Sequence, residues 1–429
     1  MSPFSSMLNR LQQVLPFGEF TRNVVGLTAG SVASQLVPLL VSPILTRMYS
    51  PEDFGVYSLY FSCIMIASTF ATARYELAIV VPKEHREGLD LLKLSMTVCV
   101  GVTLITFLLV AFLYDPLLSL IRGPKGSFNL FWVPLGILVT GFSQSLYYYH
   151  NRFARFRVMS IGRITRGVGY AFASILIGIF IPAGSSLIVA DITSYSLSNT
   201  YMLRVLGSNL FQISWPALKE VSVRYSSFPR FSIGSGLIEK GSTQSPTFMM
   251  SSLFGSVASA GYFSLAQRLI PSDLIGRAVG DVFRQKAAEL MASQGQCKEL
   301  FITTTKKLSL AGLALFSVAY VVIKPAVRII FGEAWGEIAN FSQIMMPLFL
   351  FQFVASPVSS LVQIGGKQHI DLIIQIFTIS GVFLSFFVGH HYYNSIHVAL
   401  KLYTLTYCIR YSIEFYVSWR LSLGHEVHR

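Results

Sequence analysis

The sequence contains few charged residues. Asp, Glu, Lys and Arg make up 12% of its 429 residues, and hydrophobic residues make up 53%. Soluble domains usually carry about 25% charged residues. A soluble fold would have to bury more apolar surface than a chain of this length can enclose, so the composition predicts a polytopic membrane protein.

Signals for metal, disulfide or nucleotide chemistry are also scarce. The 365–368 stretch Gly-Gly-Lys-Gln resembles a phosphate-binding loop only superficially, because Leu361 and Gln368 stand where that loop needs Gly and Ser or Thr. No HExxH zinc motif occurs. The cysteines are isolated, which excludes a disulfide framework and metal-ligand spacing; they are Cys63, Cys99, Cys297 and Cys408. We therefore expect no cofactor, no metal and no enzymatic activity. We expect any transport by this protein to be driven by an ion gradient or by the gradient of the substrate itself.

The net charge of +13 comes from basic residues scattered between apolar runs. Since they form no single stripe or tail, the sequence argues against a nucleic-acid partner.

Lys and Arg favour one set of span ends by about four to one, and cytoplasmic ends carry such an excess. This bias predicts that both termini are cytoplasmic. Residues 1–20 lack the apolar core of a cleaved signal peptide.

About twelve apolar runs are long enough to cross a bilayer as helices. They cover residues 23–46, 56–81, 92–114, 129–150, 158–181, 184–206, 231–254, 260–284, 308–330, 338–361, 371–389 and 395–417. A longer inward loop near 207–230 follows the sixth run. We therefore predict an all-α membrane protein with an N-terminal six-helix lobe at 1–210 and a C-terminal six-helix lobe at 211–429.

A weak internal echo supports this division. The second run opens with Gly-Val-Tyr-Ser-Leu at 55–59, and the eighth opens with Gly-Tyr-Phe-Ser-Leu at 261–265. Six spans per half keep both halves in the same orientation. The predicted pseudo-two-fold axis then runs along the membrane normal, as in transporters built from parallel repeats.

Two charges close the second run. Arg74 and Glu76 would each cost roughly 2.5–3.5 kcal/mol at a bilayer centre. On a continuous helix, positions i and i+2 point about 200° apart, so we expect the two not to pair. Two interpretations stay open. Arg74 lines a wet cavity and meets an anion, or both side chains reach the interface or bond neighbouring helices.

Further charges lie inside later runs. Arg163 and Arg166 share one helical face in the fifth run without an acid nearby in sequence, which suits a phosphate-bearing ligand because guanidinium grips oxygens in pairs. Arg268 lies deep in the eighth run, and no acid stands three or four residues away. Lys240 follows Glu239 in the polar seventh run, and the two are expected to point to different faces. In the last run Arg410 and Glu414, four residues apart, are expected to pair.

Several stretches resemble the polysaccharide-export flippases, the Wzx-type O-antigen and capsule flippases of the multidrug/oligosaccharidyl-lipid/polysaccharide (MOP) superfamily. They run in order across almost the whole chain: 45–57 (LTRMYSPEDFGVY), 74–82 (RYELAIVVP), 146–152 (LYYYHNR), 276–283 (GRAVGDVF), 331–335 (FGEAW) and 356–360 (SPVSS). The resemblance implies two MATE-like six-helix lobes around a central cavity in the bacterial inner membrane. It also implies alternating access that turns an undecaprenyl-pyrophosphate-linked oligosaccharide from the inner to the outer leaflet.

The resemblance implies a lipid tail that stays in the bilayer, and polysaccharide polymerase machinery as a further partner. Cationic cavity residues are a feature of the family, which supports Arg74, Arg163 and Arg166 as substrate-binding residues. Glu76, Lys240 and Arg268 are further candidates for the cavity, and the 239–240 pair rests on position alone. An ion-coupled exporter of small molecules or drugs on the same fold is the alternative, although it would prefer an acidic cavity. A glycosyl polymerase would need a large outward loop, and none is visible. A purely structural membrane subunit would leave the intramembrane charges unexplained.

Overall fold

The structure is a computed structural model that describes residues 37–121, 129–206, 214–270 and 272–424. The described residues form helices joined by short turns, with no strand among them. Six of the described helical segments are long and apolar enough to cross a membrane: 51–71, 85–112, 156–180, 298–331, 333–355 and 369–391. The predicted all-α polytopic membrane fold is confirmed.

The first helix set packs around α2. Its members are α1 (Val37–Met48), α2 (Pro51–Ala71), α3 (Tyr75–Ala78), α4 (His85–Phe112), α5 (Tyr114–Ile121), α6 (Trp132–Arg152), α7 (Phe156–Phe180) and α8 (Gly184–Arg204). Helix α2 packs on α6 and α8, α4 packs on α6, and α7 packs on α8. The predicted first run, 23–46, lies partly outside the described residues.

A short helix, α9 (Trp215–Arg224), packs on α4 and precedes the second helix set. The members of that set are α10 (Ser227–Ser252), α11 (Val257–Leu269), α12 (Ser272–Gln294), α13 (Lys298–Phe331), a 3-10 turn (Glu333–Trp335), α14 (Gly336–Ala355), α15 (Ser360–Ile364), α16 (Gln368–His391) and α17 (Ile396–Ser422). Helix α17 packs on α14 and α16, and α10 packs on α16. The two sets meet where α2 packs on α10 and α11.

A capping box fixes the start of α2. Ser50 caps the helix: its hydroxyl accepts a hydrogen bond from the Asp53 N–H at 3.2 Å, and Asp53 Oδ2 accepts from the Ser50 N–H at 2.9 Å. This reciprocal capping box satisfies two backbone donors that a helix start leaves open. Asp53 Oδ1 also accepts from the Gly184 N–H at 2.7 Å, which ties the start of α2 to the start of α8.

Two predicted continuous runs are broken, and those two predictions were wrong. The run at 56–81 stops at Ala71, because Ala73 and Arg74 adopt left-handed φ angles of 47° and 63°, and only the short α3 follows. The run at 260–284 is divided into α11 and α12. The sequence places a proline, which cannot donate a backbone hydrogen bond, at position 271 between them.

The bundle has two ends. At the Trp335 end, the buried Trp335 Nε1–H donates to the Thr46 carbonyl at 2.9 Å, and its ring meets Phe54 edge to face at 5.1 Å between centroids. Helix α2 runs from this end to the opposite one, which we call the Arg74 end. The Trp335 end is therefore held by contacts between the first and second helix sets.

Candidate functional site

A cavity of about 620 Å³ lies between the two helix sets. Helices α1, α2, α7 and α8 of the first set and α10, α11, α14 and α17 of the second set line it. Four arginines and one carboxylate are the charged residues among its described lining: Arg163, Arg166, Arg268, Arg410 and Asp191. An excess of guanidinium groups in a cavity with low-dielectric helical walls favours an anionic occupant.

Aromatic rings orient the two arginines of α7. The Arg163 guanidinium donates a hydrogen bond to the Tyr147 hydroxyl and lies 4.5 Å from that ring's centroid. The Arg166 guanidinium lies 3.8 Å from the centroid of the Tyr195 ring. The cation–π attraction holds each planar group in place while keeping its charge. Two cations one helical turn apart thus face the cavity from the first set.

Arg268 brings a third cation from the second set. Its guanidinium lies 5.7 Å from the centroid of the Tyr57 ring on α2. The Tyr57 hydroxyl in turn donates to Asp191 Oδ1 at 3.4 Å, and Asp191 attracts both Arg166 and Arg268 electrostatically. The ion pairs of the described residues include neither Arg166 nor Arg268, so the attraction acts without direct charge-to-charge contact.

Arg410 is balanced within its own helix. Its Nε–H donates to Glu414 Oε1 at 2.9 Å, which confirms the predicted pair on α17. Glu414 is buried, and the Arg410 guanidinium also lies near the rings of Tyr407 and Tyr411. Because Glu414 neutralises this charge, the cationic wall of the cavity rests on α7 and α11.

Arg74 and Glu76 lie away from this cavity and pair with each other. Arg74 Nη1 is 3.7 Å from Glu76 Oε1, and the Thr72 hydroxyl donates to the other oxygen of the Glu76 carboxylate. The expectation that the two could not pair was wrong, since it assumed a continuous helix. The left-handed backbone at Arg74 turns its side chain toward the carboxylate. A buried charge is thereby matched by a nearby opposite charge.

The Arg74 guanidinium also crosses to the second helix set. A Cβ atom added to Gly236 on α10 would lie 1.8 Å from Arg74 Nη2, so a larger residue there would displace the guanidinium. Lys240, one turn further along α10, pairs with Glu239 Oε1 at 3.2 Å, contrary to the expectation that the two point apart, because both side chains are long enough to meet. Neither Arg74 nor Lys240 is among the cavity-lining residues.

The structure thus brings Arg163, Arg166 and Arg268 together and places Arg74, Glu76 and Lys240 elsewhere. Sequence reasoning missed Asp191, although a usable signal was present. Asp191 is the single acid of the 184–206 run. An acid inside an apolar run needs a basic partner, so Asp191 could have been expected near one of the arginines. Among the described residues no group of three or more His, Cys, Asp or Glu side chains could hold a metal ion.

Comparison with solved structures shows that the chain has the fold of MOP superfamily transporters. The lipid II flippase MurJ in an inward closed conformation gives a TM-score of 0.69 at 13% identity, over 92% of this chain and 90% of that chain. A multidrug resistance MATE family transporter gives 0.66 at 14% identity when inward-facing, over 92% and 96% of the two chains. An outward-facing structure of a multidrug resistance MATE family transporter gives 0.54 at 12% identity, over 95% and 97%.

The family follows from the sequence. The chain belongs to the polysaccharide biosynthesis protein family, whose profile matches residues 44–340. Comparison with curated proteins gave no match. The chain is accordingly a multi-pass membrane protein of a polysaccharide biosynthesis family with the fold of flippases and transporters.

Proposed function

We propose that this protein is a flippase that moves an undecaprenyl-pyrophosphate-linked oligosaccharide across the cytoplasmic membrane during surface polysaccharide synthesis. The observation that carries the proposal is the cationic wall formed by Arg163, Arg166 and Arg268 inside a membrane protein of this family. Guanidinium groups bind phosphate oxygens in pairs and remain charged when desolvated. A pyrophosphate headgroup is the anion that such a lipid-linked sugar would present.

The cavity's position between the helix sets supports alternating access. In the proposed mechanism an N-terminal lobe (1–210) and a C-terminal lobe (211–429) rock around the bound headgroup. The arginines replace part of the hydration that the pyrophosphate loses on leaving water. The undecaprenyl tail stays in the bilayer, since its apolar surface has nothing to gain from a polar cavity.

The orientation proposed here follows the Lys and Arg bias of the sequence. Both termini and the Arg74 end face the cytoplasm, and the Trp335 end faces outward. In this orientation the contacts around Trp335 close the outer side. The polysaccharide polymerase machinery that uses the flipped repeat unit would then meet the protein on its outer face.

A small-molecule exporter is the second candidate, and the likeness to MATE transporters favours it. The single lining carboxylate against four lining arginines makes the cavity unsuited to the cationic compounds that an acidic pocket would hold. If the protein is an exporter, we therefore expect it to transport anions. A direct flipping assay separates it from the proposed function.

The experiment uses purified protein in liposomes that contain undecaprenyl-pyrophosphate-linked oligosaccharide. The rate at which a soluble glycosidase gains access to inner-leaflet sugar measures flipping. We expect the double variant Arg163→Gln, Arg166→Gln to lose at least about tenfold in rate, corresponding to about 1.4 kcal/mol or more. Arg328→Gln is the matched control, because Arg328 is exposed and pairs with Glu333 at 2.7 Å away from the cavity.

Two results would contradict the proposal. One is a wild-type protein that does not accelerate glycosidase access, and the other is a double variant that flips as fast as wild type at equal protein per vesicle. A protein that moves small anions but not the lipid-linked sugar would support the exporter.

A further inference from the structure

One carboxylate lies inside the cationic cavity without a direct ion pair. Asp191 on α8 is 4% exposed, and the Tyr57 hydroxyl donates to it at 3.4 Å. It attracts Arg166 from the first helix set and Arg268 from the second. By contrast, the other buried carboxylates near arginine, Glu76 and Glu414, contact their partners at 3.7 and 2.9 Å.

This spacing leaves the arginine donors available to another anion. A direct Arg–carboxylate pair would have to break before a phosphate could bind the same guanidinium. The ion pairs of the described residues include neither Arg166 nor Arg268, so an incoming anion does not have to displace a carboxylate from either guanidinium. The Asp191 charge nevertheless repels that anion at short range in a poorly screened space.

The counter-charge belongs to the same helix set as Arg166. Helices α7 and α8 pack closely along their length, and Tyr57 on α2 reaches Asp191 from the same set. Arg268 lies on α11 of the other set. In the proposed rocking motion of the two lobes, Asp191 therefore moves together with Arg166, whereas its distance from Arg268 changes.

We propose that the Asp191 carboxylate competes with the pyrophosphate group for the cavity arginines and so weakens pyrophosphate binding. The weaker binding allows the headgroup to be released after crossing. The inference rests on the proposed function and assigns a specificity-determining role to one residue. Passage through a membrane requires a site attractive enough to fill and weak enough to empty. Three arginines alone would hold a pyrophosphate too firmly in such a space.

The test measures binding of inorganic pyrophosphate to the purified protein by titration calorimetry. Asp191→Asn keeps the shape of the side chain and removes its charge, and we expect its Kd to fall at least about fivefold. Asp191→Glu keeps the charge and should stay near the wild-type Kd. Glu337→Gln is the matched control, because Glu337 pairs with His397 at 3.0 Å outside the cavity and should leave the Kd unchanged.

A second readout separates competition from simple positioning. If Asp191 opposes the anion, Asp191→Asn should bind more tightly and flip the lipid-linked sugar more slowly, because release becomes limiting. If Asp191 only holds the arginines in place, the same variant would bind more weakly. In the double variant Arg166→Gln, Asp191→Asn the gain in affinity should shrink, since the two residues act on one site.

An unchanged or raised Kd in Asp191→Asn overturns the proposal. If that variant does not fold, Asp191→Ser replaces it under the same criterion. Equal pyrophosphate binding by wild type and Arg166→Gln would instead show that the proposed function has the wrong site. Loss of binding in Arg166→Gln with no gain in Asp191→Asn would leave the function intact and reject this inference alone.

Discussion

Gly55 and Gly261 meet backbone to backbone where α2 and α11 begin. A Cβ added to Gly261 would lie 2.9 Å from the Gly55 nitrogen and 2.5 Å from the Pro51 carbonyl oxygen. A Cβ added to Gly55 would lie 2.0 Å from the Val257 carbonyl oxygen. The two glycines hold equivalent positions in the similar 55–59 and 261–265 stretches. The contact therefore joins corresponding residues of the two stretches on which the sequence-based prediction of a repeat rests.

The contact helps to close the Trp335 end of the bundle. Small residues let membrane helices approach until their backbones touch, and packing then replaces the hydrophobic effect as the source of stability. Because the contact joins the two helix sets, opening this end of the cavity requires α2 and α11 to separate here. The approach of the two helix sets at this end thus depends on Gly55 and Gly261.

We expect Gly55→Ala to destabilise the closed arrangement. The new methyl group would overlap backbone atoms of Val257, and overpacking of this kind costs about 1–3 kcal/mol. Thermal unfolding in detergent should show a lower Tm. Gly101→Ala on α4 is the control, since its Cβ meets nothing within 4 Å and alanine favours helix over glycine by about 1 kcal/mol. Equal or higher stability of Gly55→Ala relative to Gly101→Ala would mean that the contact does not constrain the fold.

The Trp335 side chain forms a second contact between the helix sets at the same end, and this contact is a hydrogen bond. Trp335→Phe keeps an aromatic ring against Phe54 but leaves the buried Thr46 carbonyl without its 2.9 Å partner. Losing such a partner costs about 1–3 kcal/mol, so the midpoint of unfolding should fall. Trp215→Phe serves as the control, because Trp215 on α9 is 67% exposed. The argument fails if both substitutions shift the midpoint equally.

The orientation can be tested by thiol labelling, although not with the native Cys297. That side chain is buried, and burial raises the pKa of its thiol, so less reactive thiolate is present at neutral pH. We therefore expect slow labelling whichever side it faces. Gln296→Cys in a Cys297→Ser background places an exposed thiol in the same loop. A membrane-impermeant maleimide should label it only after permeabilisation.

The matched site for this experiment is at the other end of the bundle. Tyr393 is 62% exposed in the loop between α16 and α17, and Tyr393→Cys should be labelled in intact cells. Labelling of Gln296→Cys from outside, or protection of Tyr393→Cys, would reverse the proposed topology.

Sequence reasoning located the helices well but not the details that define the site. The length of the apolar runs predicted where most of the helices lie. The break at Ala73 and Arg74 could not be predicted, because neither residue is a glycine and nothing local favours a left-handed backbone there. Contacts distant in sequence, such as that of Arg74 with Gly236, surround the break.

The same limitation applies to the cavity. Hydropathy shows that Arg163, Arg166 and Arg268 lie inside apolar runs, but it does not show which helix faces another. The grouping of Arg268 with Asp191 depends on α11 packing against α2, a contact between residues about two hundred positions apart in sequence. Charge spacing along one helix did predict the Arg410–Glu414 pair, because that contact is local.

Arg74 remains a proposed participant in pyrophosphate binding, at the Arg74 end rather than in the central cavity. Arginine offers a planar pair of donors and lysine a point charge, so Arg74→Lys should retain partial transport and Arg74→Ala should lose most of it. Arg74→Glu should lose all transport, because it sets a like charge against the anion and against Glu76. The measurement is surface polysaccharide per unit of folded protein in a strain that lacks its own copy.

The structural role of Arg74 has to be separated from binding. Arg74→Ala leaves Glu76 buried at 1% exposure without its 3.7 Å partner, which alone would lower the amount of folded protein. Adding Glu76→Gln removes that unpaired charge and should restore abundance, whereas transport should stay low if Arg74 binds substrate. Gly236→Ala should displace the guanidinium and mimic the loss, while Gly234→Ala, whose Cβ meets nothing within 4 Å, should not. Normal transport per molecule in Arg74→Ala and Arg74→Glu would reduce Arg74 to a partner of Glu76.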